Sequence, residues 1–460
     1  MLTAILFAAG IVSPLYSAPR ISPSVFTDVK AEVNYKDLIE YSLMASGLSG
    51  EQLGEYRLKF EDFLASLPLT TIADAPVPAE ALLLELHRSL FSGYIENQTY
   101  IQTVFDKGVY NCVSSAVIYA IACVYSGIEV SGVLTADHAF CRVTADSGLY
   151  DVETTTPFGF NPGEKREFTD AFGHTGFTYV PPGNYRQRTD IGLLRLISII
   201  LKNRVGSVER EGDFETAVEL SVERFALSAN DTSYREMVQE FLNYVSYLNV
   251  RAQYSEAIAF LDAVREKYGL DEAYAETLST LLYNNVVTLC QNGATDQART
   301  FVDMQYEKGN VTDKNKQELL YVIGDSLGMK AINDTADPVE ASASIDTLYA
   351  DGLLEHGRYV DFKVVLISRE ADSLAKAGQA YKALLLIRKS REVFGPHKFF
   401  TDAQRVYEHN AAVELHNQAA DLINANDIEG AAKIIDRGLE MLPGNAVLLK
   451  DKRTLESMRR

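Results

Sequence analysis

Cys112, His138, Asp151 and Glu153 have the residue types and the chain order of a nucleophile, a base and a choice of two acids. Cys112 opens an apolar run (Val113, Ala116, Val117, Ile118, Ala120, Ile121, Ala122, Val124) that Ser126-Gly127 stops. A stretch this apolar on nearly every side reads as a buried helix, with Gly127 placed for the left-handed residue that ends one. At the start of such a helix a sulfur faces unpaired backbone N–H groups and the positive end of the dipole, and both favour a thiolate. Three strands follow, over 129–134, 138–143 and 149–154, with Ala145-Asp146-Ser147-Gly148 turning between the last two. His138 opens the second strand, and Asp151 and Glu153, two apart on the third, share a face. Thiol, imidazole and carboxylate on successive elements are the parts of a Cys-His-acid triad. Alone, Cys112 would be a buried small residue, as free cysteines usually are. The two following strands, in that order, turn the reading to an active site. One acid orients His138 and the other belongs to a solvated hairpin face, while Cys141 points away from His138 into the core.

These residues resemble the transglutaminase-like superfamily, a relative of the papain-type cysteine proteases. The resemblance covers residues of about 80–160 and rests on three segments in order: Gly108-Val-Tyr-Asn-Cys-Val-Ser-Ser115, which looks like a bacterial branch, His138-Ala-Phe140, and Tyr150-Asp-Val-Glu-Thr-Thr155. It implies an α+β domain with Cys112 as nucleophile and His138 as base. The family's Val-Asp-x-Thr aligns with Val152-Glu153-Thr154-Thr155, which makes Glu153 the acid and Asp151 the alternative. Two departures stand out: Glu replaces Asp, and Phe140 stands where the family often has Trp, a residue this chain lacks. Papain-type enzymes also keep an oxyanion donor upstream of the nucleophile. Gln98 is the candidate here, with the backbone N–H of Cys112 as the other.

At 460 residues the chain is too long for one core. A formal charge of −20 opposes nonspecific nucleic-acid binding, which needs a basic face. The four cysteines and seven histidines form no zinc-ligand spacing, and no phosphate-cradling glycine motif occurs, so neither metal nor cofactor is expected. Cys123 lies on the Cys112 face of its helix but about 16 Å along it, too far for a disulfide. The first 18 residues look like a secretory signal without its basic region, which points to export, periplasmic or membrane-associated. A buried first helix in a cytoplasmic protein is the alternative. Nothing later reaches membrane-spanning length.

Before the site the chain reads as helical, over 35–46, 52–66 and 79–94, the last with His87 as a packing or surface residue. Residues 156–188, rich in Pro and Gly and including His174, read as irregular loop and short strand closing a catalytic domain over 19–190. From Ile191 to the end helices dominate. Five segments repeat one signal, a turn residue followed five positions on by Ala: Gly212–Ala217, Ala252–Ala257, Gly293–Ala298, Gly378–Ala383 and Asn426–Ala431. A small residue is needed where two helices cross closely. The segments resemble tetratricopeptide repeats, with intervals of 40, 41, 85 and 48 residues, the longest hiding one more unit within 315–355. The fold expected is therefore a papain/transglutaminase-like α+β domain followed by an all-α solenoid.

The resemblance implies a cysteine protease, amidase or transglutaminase-like acyltransferase acting on peptide or protein amides, with the repeats recruiting substrate or partner. Hydrolysis is the better reading for a bacterial-looking member, because cross-linking needs a cleft that excludes water. The alternative is a catalytically inactive domain that serves with the repeats as a protein-binding scaffold.

Overall fold

Asn111 starts the central helix. Its side chain accepts from the N–H groups of Val113 and Ser114 while the Ser114 hydroxyl takes the Asn111 N–H, a complete capping box. In a computed structural model, which describes residues 23–145, 148–162, 169–170, 173–174, 188–269, 271–335 and 337–459, this helix runs Cys112–Tyr125 and Gly127 ends it at φ 73°. Every residue from Val113 to Cys123 is buried. Burying side chains such as Ile118 and Ile121 is worth about 2–3 kcal/mol each. The helix thus forms the hub on which the other elements assemble.

In chain order the elements before it are α1 (Tyr35–Ala45), α2 (Gly50–Ser66), α3 (Leu69–Ala73), α4 (Pro78–Ser89), β1 (Gly93–Tyr94), α5 (Ile101–Lys107) and β2 (Val109–Tyr110), and the hub itself is α6. The helix expected to reach residue 94 stops at Ser89. Leu90 leaves helical geometry, Phe91 folds into the core, and Gly93–Tyr94 pairs in parallel with Val109–Tyr110. After α6 come β3 (Val130–Leu134), β4 (Ala139–Ala145), β5 (Gly148–Val152), the two-residue strands β6 (Thr169–Asp170) and β7 (Gly173–His174), and β8 (Thr189–Ile191). The main sheet is antiparallel throughout, in the order β5-β4-β3-β8. The expected export segment, the residues Asp146-Ser147 of the expected turn and most of the loop before Arg188 lie outside the described residues.

The chain divides into two units at Thr277/Leu278. The sheet ends at Ile191, where the sequence changes character, but the core of the first unit does not. Leu196, Ile197, Ile200 and Leu201 of α7 (Leu193–Glu211), and Ala217, Leu220 and Leu227 of α8 (Phe214–Ser228), share one buried cluster with α1, α4, α6 and the sheet. Two more helices, α9 (Asp231–Val250) and α10 (Tyr254–Tyr268), complete this unit, and the boundary falls inside α11 (Asp271–Gln291).

The second unit continues as helices α12 (Thr295–Glu307), α13 (Asp313–Asp334), α14 (Pro338–Ala350), α15 (His356–Lys376), α16 (Ala380–Phe394), α17 (Lys398–Asn424), α18 (Ile428–Met441) and α19 (Ala446–Met458). Among the described residues the protein is thus mostly helical with a small sheet, an α+β chain whose C-terminal part has the helix-after-helix order of a solenoid. The five repeated signals share one structural cause. Gly212, Ala252, Gly293, Gly378 and Asn426 all take positive φ, and Ala217, Ala257, Ala298, Ala383 and Ala431 are all fully buried. A left-handed residue turns the chain sharply, and the alanine lets the second helix close on the first. The long interval holds α13 and α14, with buried Ala341 as the counterpart. Gly324 and Gly328 of α13 instead close on the segment after α14 and on α15, where a Cβ would stand 1.8 Å from the Leu353 carbonyl oxygen and 2.4 Å from the Phe362 ring.

Candidate active site

Asn111 organises the surroundings of Cys112 as well as the helix. Of the four N–H groups that this helix N-terminus leaves open, Asn111 Oδ1 accepts from those of Val113 and Ser114 (3.1 and 2.9 Å), and Ser114 Oγ accepts from that of Asn111 (3.0 Å). The N–H of Cys112 is the one remaining, beside a half-buried and therefore reachable thiol. Asn111 is itself held by its Nδ2, which donates to the Glu96 carbonyl (3.0 Å).

His138 closes the turn between β3 and β4, where its carbonyl accepts from Thr135 N–H (2.9 Å). Its ring lies stacked at 6.3 Å from Phe140. Nε2 donates to Glu153 Oε2 at 2.6 Å, both side chains being buried, and the Cys112 side chain is near enough to the same ring to raise its pKa. With Nε2 engaged by the acid, Nδ1 is the nitrogen left for the sulfur. Burial alone would lower the pKa of this imidazole. The Glu153 carboxylate and then the Cys112 side chain outweigh it and raise the pKa well above 6.5, to about 10. At neutral pH this favours an imidazolium paired with the Glu153 carboxylate.

The two acids separate by register. Arg142 stands opposite Asp151 in the β4–β5 ladder, and its guanidinium binds that carboxylate at 2.8–2.9 Å. Arg188 binds it as well, and Asp190 shares Arg142. Asp151 therefore serves an ion-pair ladder on the sheet face. The strand expected to reach Thr154 leaves the sheet after Val152, and Glu153 turns into the protein to face His138. Its other oxygen, Oε1, accepts from Thr155 N–H (3.1 Å) and Thr155 Oγ1 (2.8 Å), which fixes the carboxylate.

The acid-bearing tail is braced from several sides. Thr154 Oγ1 pairs with Ser115 of α6 (2.8 Å), Tyr110 Oη donates to the Thr155 carbonyl (3.2 Å), and His87 Nε2 donates to the Thr154 carbonyl (3.0 Å). Burial pushes the His87 pKa down to about 4, against its backbone bond and Glu153, so this packed histidine is neutral where His138 is charged. Glu153 N–H donates to the Gly159 carbonyl (2.8 Å), and a Cβ on Gly159 would stand 1.9 Å from the Glu153 carbonyl oxygen. Tyr110, Ser115 and Gly159 carry no role in the sequence reading. Tyr110 and Ser115 lie in the Cys112 segment, and Gly159 gives no signal beyond its glycine.

Gln98 is placed differently from expectation. Its amide nitrogen donates to the Tyr100 and Val109 carbonyls (3.1 and 2.7 Å), and its oxygen accepts from Tyr100 N–H (2.8 Å). With its donors bound to backbone, it holds the loop ahead of the helix. That leaves the Cys112 N–H as the donor beside the sulfur. Cys141 is fully buried with its thiol on the Ala116 carbonyl (3.3 Å). His174 lies in β7.

Cys112 and His138 open onto a cleft of about 570 Å³ within the first unit. One wall is the loop of Tyr94, Asn97 and Tyr100, another is the Leu134–Ala139 turn, and the third is α7. Among the described residues, no group of three His, Cys, Asp or Glu side chains is placed to hold a metal ion. No helix there is long and apolar enough to cross a membrane.

Scanned against models of known protein families, the chain matches none, and a search of curated proteins gives no match either.

Proposed function

We propose that this protein is a thiol-dependent acyl-transfer enzyme that cleaves peptide or protein amide bonds. The observation that carries the reading is the His138–Glu153 bond at 2.6 Å, with Cys112 on the same open cleft and near enough to the ring to raise its pKa. The Cys112 thiolate attacks the amide carbonyl carbon, and the oxygen that becomes negative is met by the Cys112 N–H. The imidazolium of His138 gives its proton to the leaving amine as the C–N bond breaks, and an acyl-thioester on Cys112 remains. Water, deprotonated by the now neutral His138, then attacks the thioester and frees the acid and the thiol. Glu153 holds the ring in place and offsets its charge. The open cleft favours water over a lysine amine as acceptor. The resemblance to transglutaminase-like and papain-type domains points the same way, and the helical repeats are assigned the recruitment of the substrate.

The test is the pH dependence of iodoacetamide alkylation at Cys112, followed by peptide mass mapping in the wild type and in His138→Ala. The expected wild-type profile has an inflection well below the ordinary thiol value of about 8.5, which the variant loses. An unperturbed profile that is the same in both refutes the enzyme and leaves a binding module.

A further inference from the structure

The cleft has one wall that the triad does not use. Ile199, Asn203, Gly206, Ser207 and Arg210 of α7 lie at helical spacing along a single face and all line it. At 1.5 Å per residue the face runs about 16 Å, the span of roughly five residues of extended peptide. Two of its positions are bare. Gly206 sits inside a long helix, where glycine costs about 1 kcal/mol against alanine, and a Cβ there would meet nothing within 4 Å. Packing therefore does not explain this glycine, but an open groove does, and Ser207 beside it is also small.

The charges on this wall are unequal. Lys202 is paired with Glu236 at 2.8 Å. Arg204 is held by the Ala45 carbonyl at 2.7 Å and by Tyr100. Glu209 turns away from the cleft toward Asn243 and Glu240. Arg210 is exposed, lines the cleft and makes no ion pair with the described residues. On another wall of the cleft Glu96 stands exposed. In a chain of net charge −20, a carboxylate entering this cleft is repelled from that wall and drawn to α7.

We propose that α7 is the substrate-reading wall of the cleft, and that it selects peptides whose carboxylate reaches Arg210 across the bare surface at Gly206 and Ser207. This rests on the thiol chemistry proposed above. The probes are iodoacetyl-capped tetraglycine amides with one glycine replaced in turn by Glu or by Gln, together with the tetraglycine free acid. Each is measured as a rate at Cys112 relative to iodoacetamide on the same variant, so that changes in the thiolate divide out.

At low salt the Glu probe is expected to exceed its Gln partner about three- to fivefold at one position, and salt should reduce the ratio. Arg210→Gln should bring the ratio to one and Arg210→Lys should restore most of it. Gly206→Leu should slow every tetrapeptide at least roughly tenfold relative to iodoacetamide, because its side chain fills the groove. A free acid faster than its amide would assign the carboxylate to a peptide C-terminus, and a Glu preference without it assigns a side chain. Equal Glu and Gln rates at every position with no free-acid gain, or a preference that survives Arg210→Gln, overturns the proposal. An ordinary iodoacetamide profile would instead remove the thiol chemistry itself, so the two failures are distinct.

Discussion

A single methyl group added at Gly159 tests whether the placement of Glu153 controls the thiol. Gly159 touches neither Cys112 nor His138. A Cβ there would stand 1.9 Å from the Glu153 carbonyl oxygen, 2.8 Å from its carbonyl carbon and 2.9 Å from its Cβ. Two of these three atoms are backbone, so no rotamer change relieves the overlap and the turn must open by about 1 Å. The 2.8 Å bond from Glu153 N–H to the Gly159 carbonyl is then stretched, as is the pairing of Val152 with Phe160. Overpacking of this kind costs about 1–3 kcal/mol. A shift of that size also takes the 2.6 Å bond from His138 to Glu153 beyond hydrogen-bond range. Burial, which lowers the imidazole pKa, then meets less opposition, and the thiolate loses its counter-ion. The expected result for Gly159→Ala is a stability loss of about 1–3 kcal/mol in urea, with the Cys112 alkylation inflection moving up toward about 8.5. A variant that loses stability but keeps the wild-type inflection would refute the control assigned to Glu153. One that changes in neither would refute the packing argument as well.

Other substitutions separate the parts of the site. Glu153→Asp withdraws the carboxylate by about 1.5 Å, so it should raise the alkylation inflection and destabilise by about 1–3 kcal/mol. Glu153→Gln keeps the volume without the charge, and should raise the inflection with a smaller loss in a denaturant melt. Because the folded pKa of His138 lies above its ordinary 6.5, its pairing stabilises fully below about pH 6.5, and that share is lost as pH climbs toward about 10. In a Cys112→Ser background, which removes the thiol's own titration and its share of the shift, urea stability should therefore fall as pH rises above about 6.5, over a narrower window set by Glu153, and His138→Gln should flatten the slope. In the second unit, Ala383→Leu should cost at least about 1–3 kcal/mol in thermal melts by forcing apart two helices at a fully buried alanine, whereas Leu385→Ala, at an exposed position, should cost under about 0.5 kcal/mol.

The local parts of the site were legible because their causes are local. Asn111 and Ser114 cap a helix whose apolar run is visible in the chain, and β3, β4 and β5 follow from alternation and turn residues. The choice between Asp151 and Glu153 was not legible, because it depends on register. Both sit on the His138 face, and only the pairing of β4 with β5 shows that Arg142 takes Asp151 and leaves Glu153 for the imidazole. Gln98 misled for a related reason: its place upstream of the nucleophile suggests a donor, while the backbone carbonyls it meets become neighbours only on folding. The repeats show the same division. A left-handed turn residue and a buried alanine leave a mark in the sequence. The unit over α13 and α14 escaped because Asp337 and Pro338 start its second helix, and the glycines of its first helix close on Leu353 and on Phe362 of α15 instead.

The position of α7 joins the two halves of the functional reading. By sequence it begins the helical part of the chain, after the last strand of the sheet. By packing it belongs to the core of α6, with Leu196, Ile197, Ile200 and Leu201 buried there, and a Cβ on Gly132 of β3 would come within 3.1 Å of Leu196. Its opposite face supplies a wall of the cleft onto which Cys112 opens. One helix is thus fixed on its apolar side by the same core that positions Cys112, while its polar side is open to whatever enters. A cleft wall held this way is preorganised, since little further ordering is needed to present Arg210 and the bare surface at Gly206 to a ligand. Selection by such a wall and activation of Cys112 by Glu153 then rest on separate contacts, so a substitution at Arg210 should change which probe reacts without changing how readily the thiol ionises.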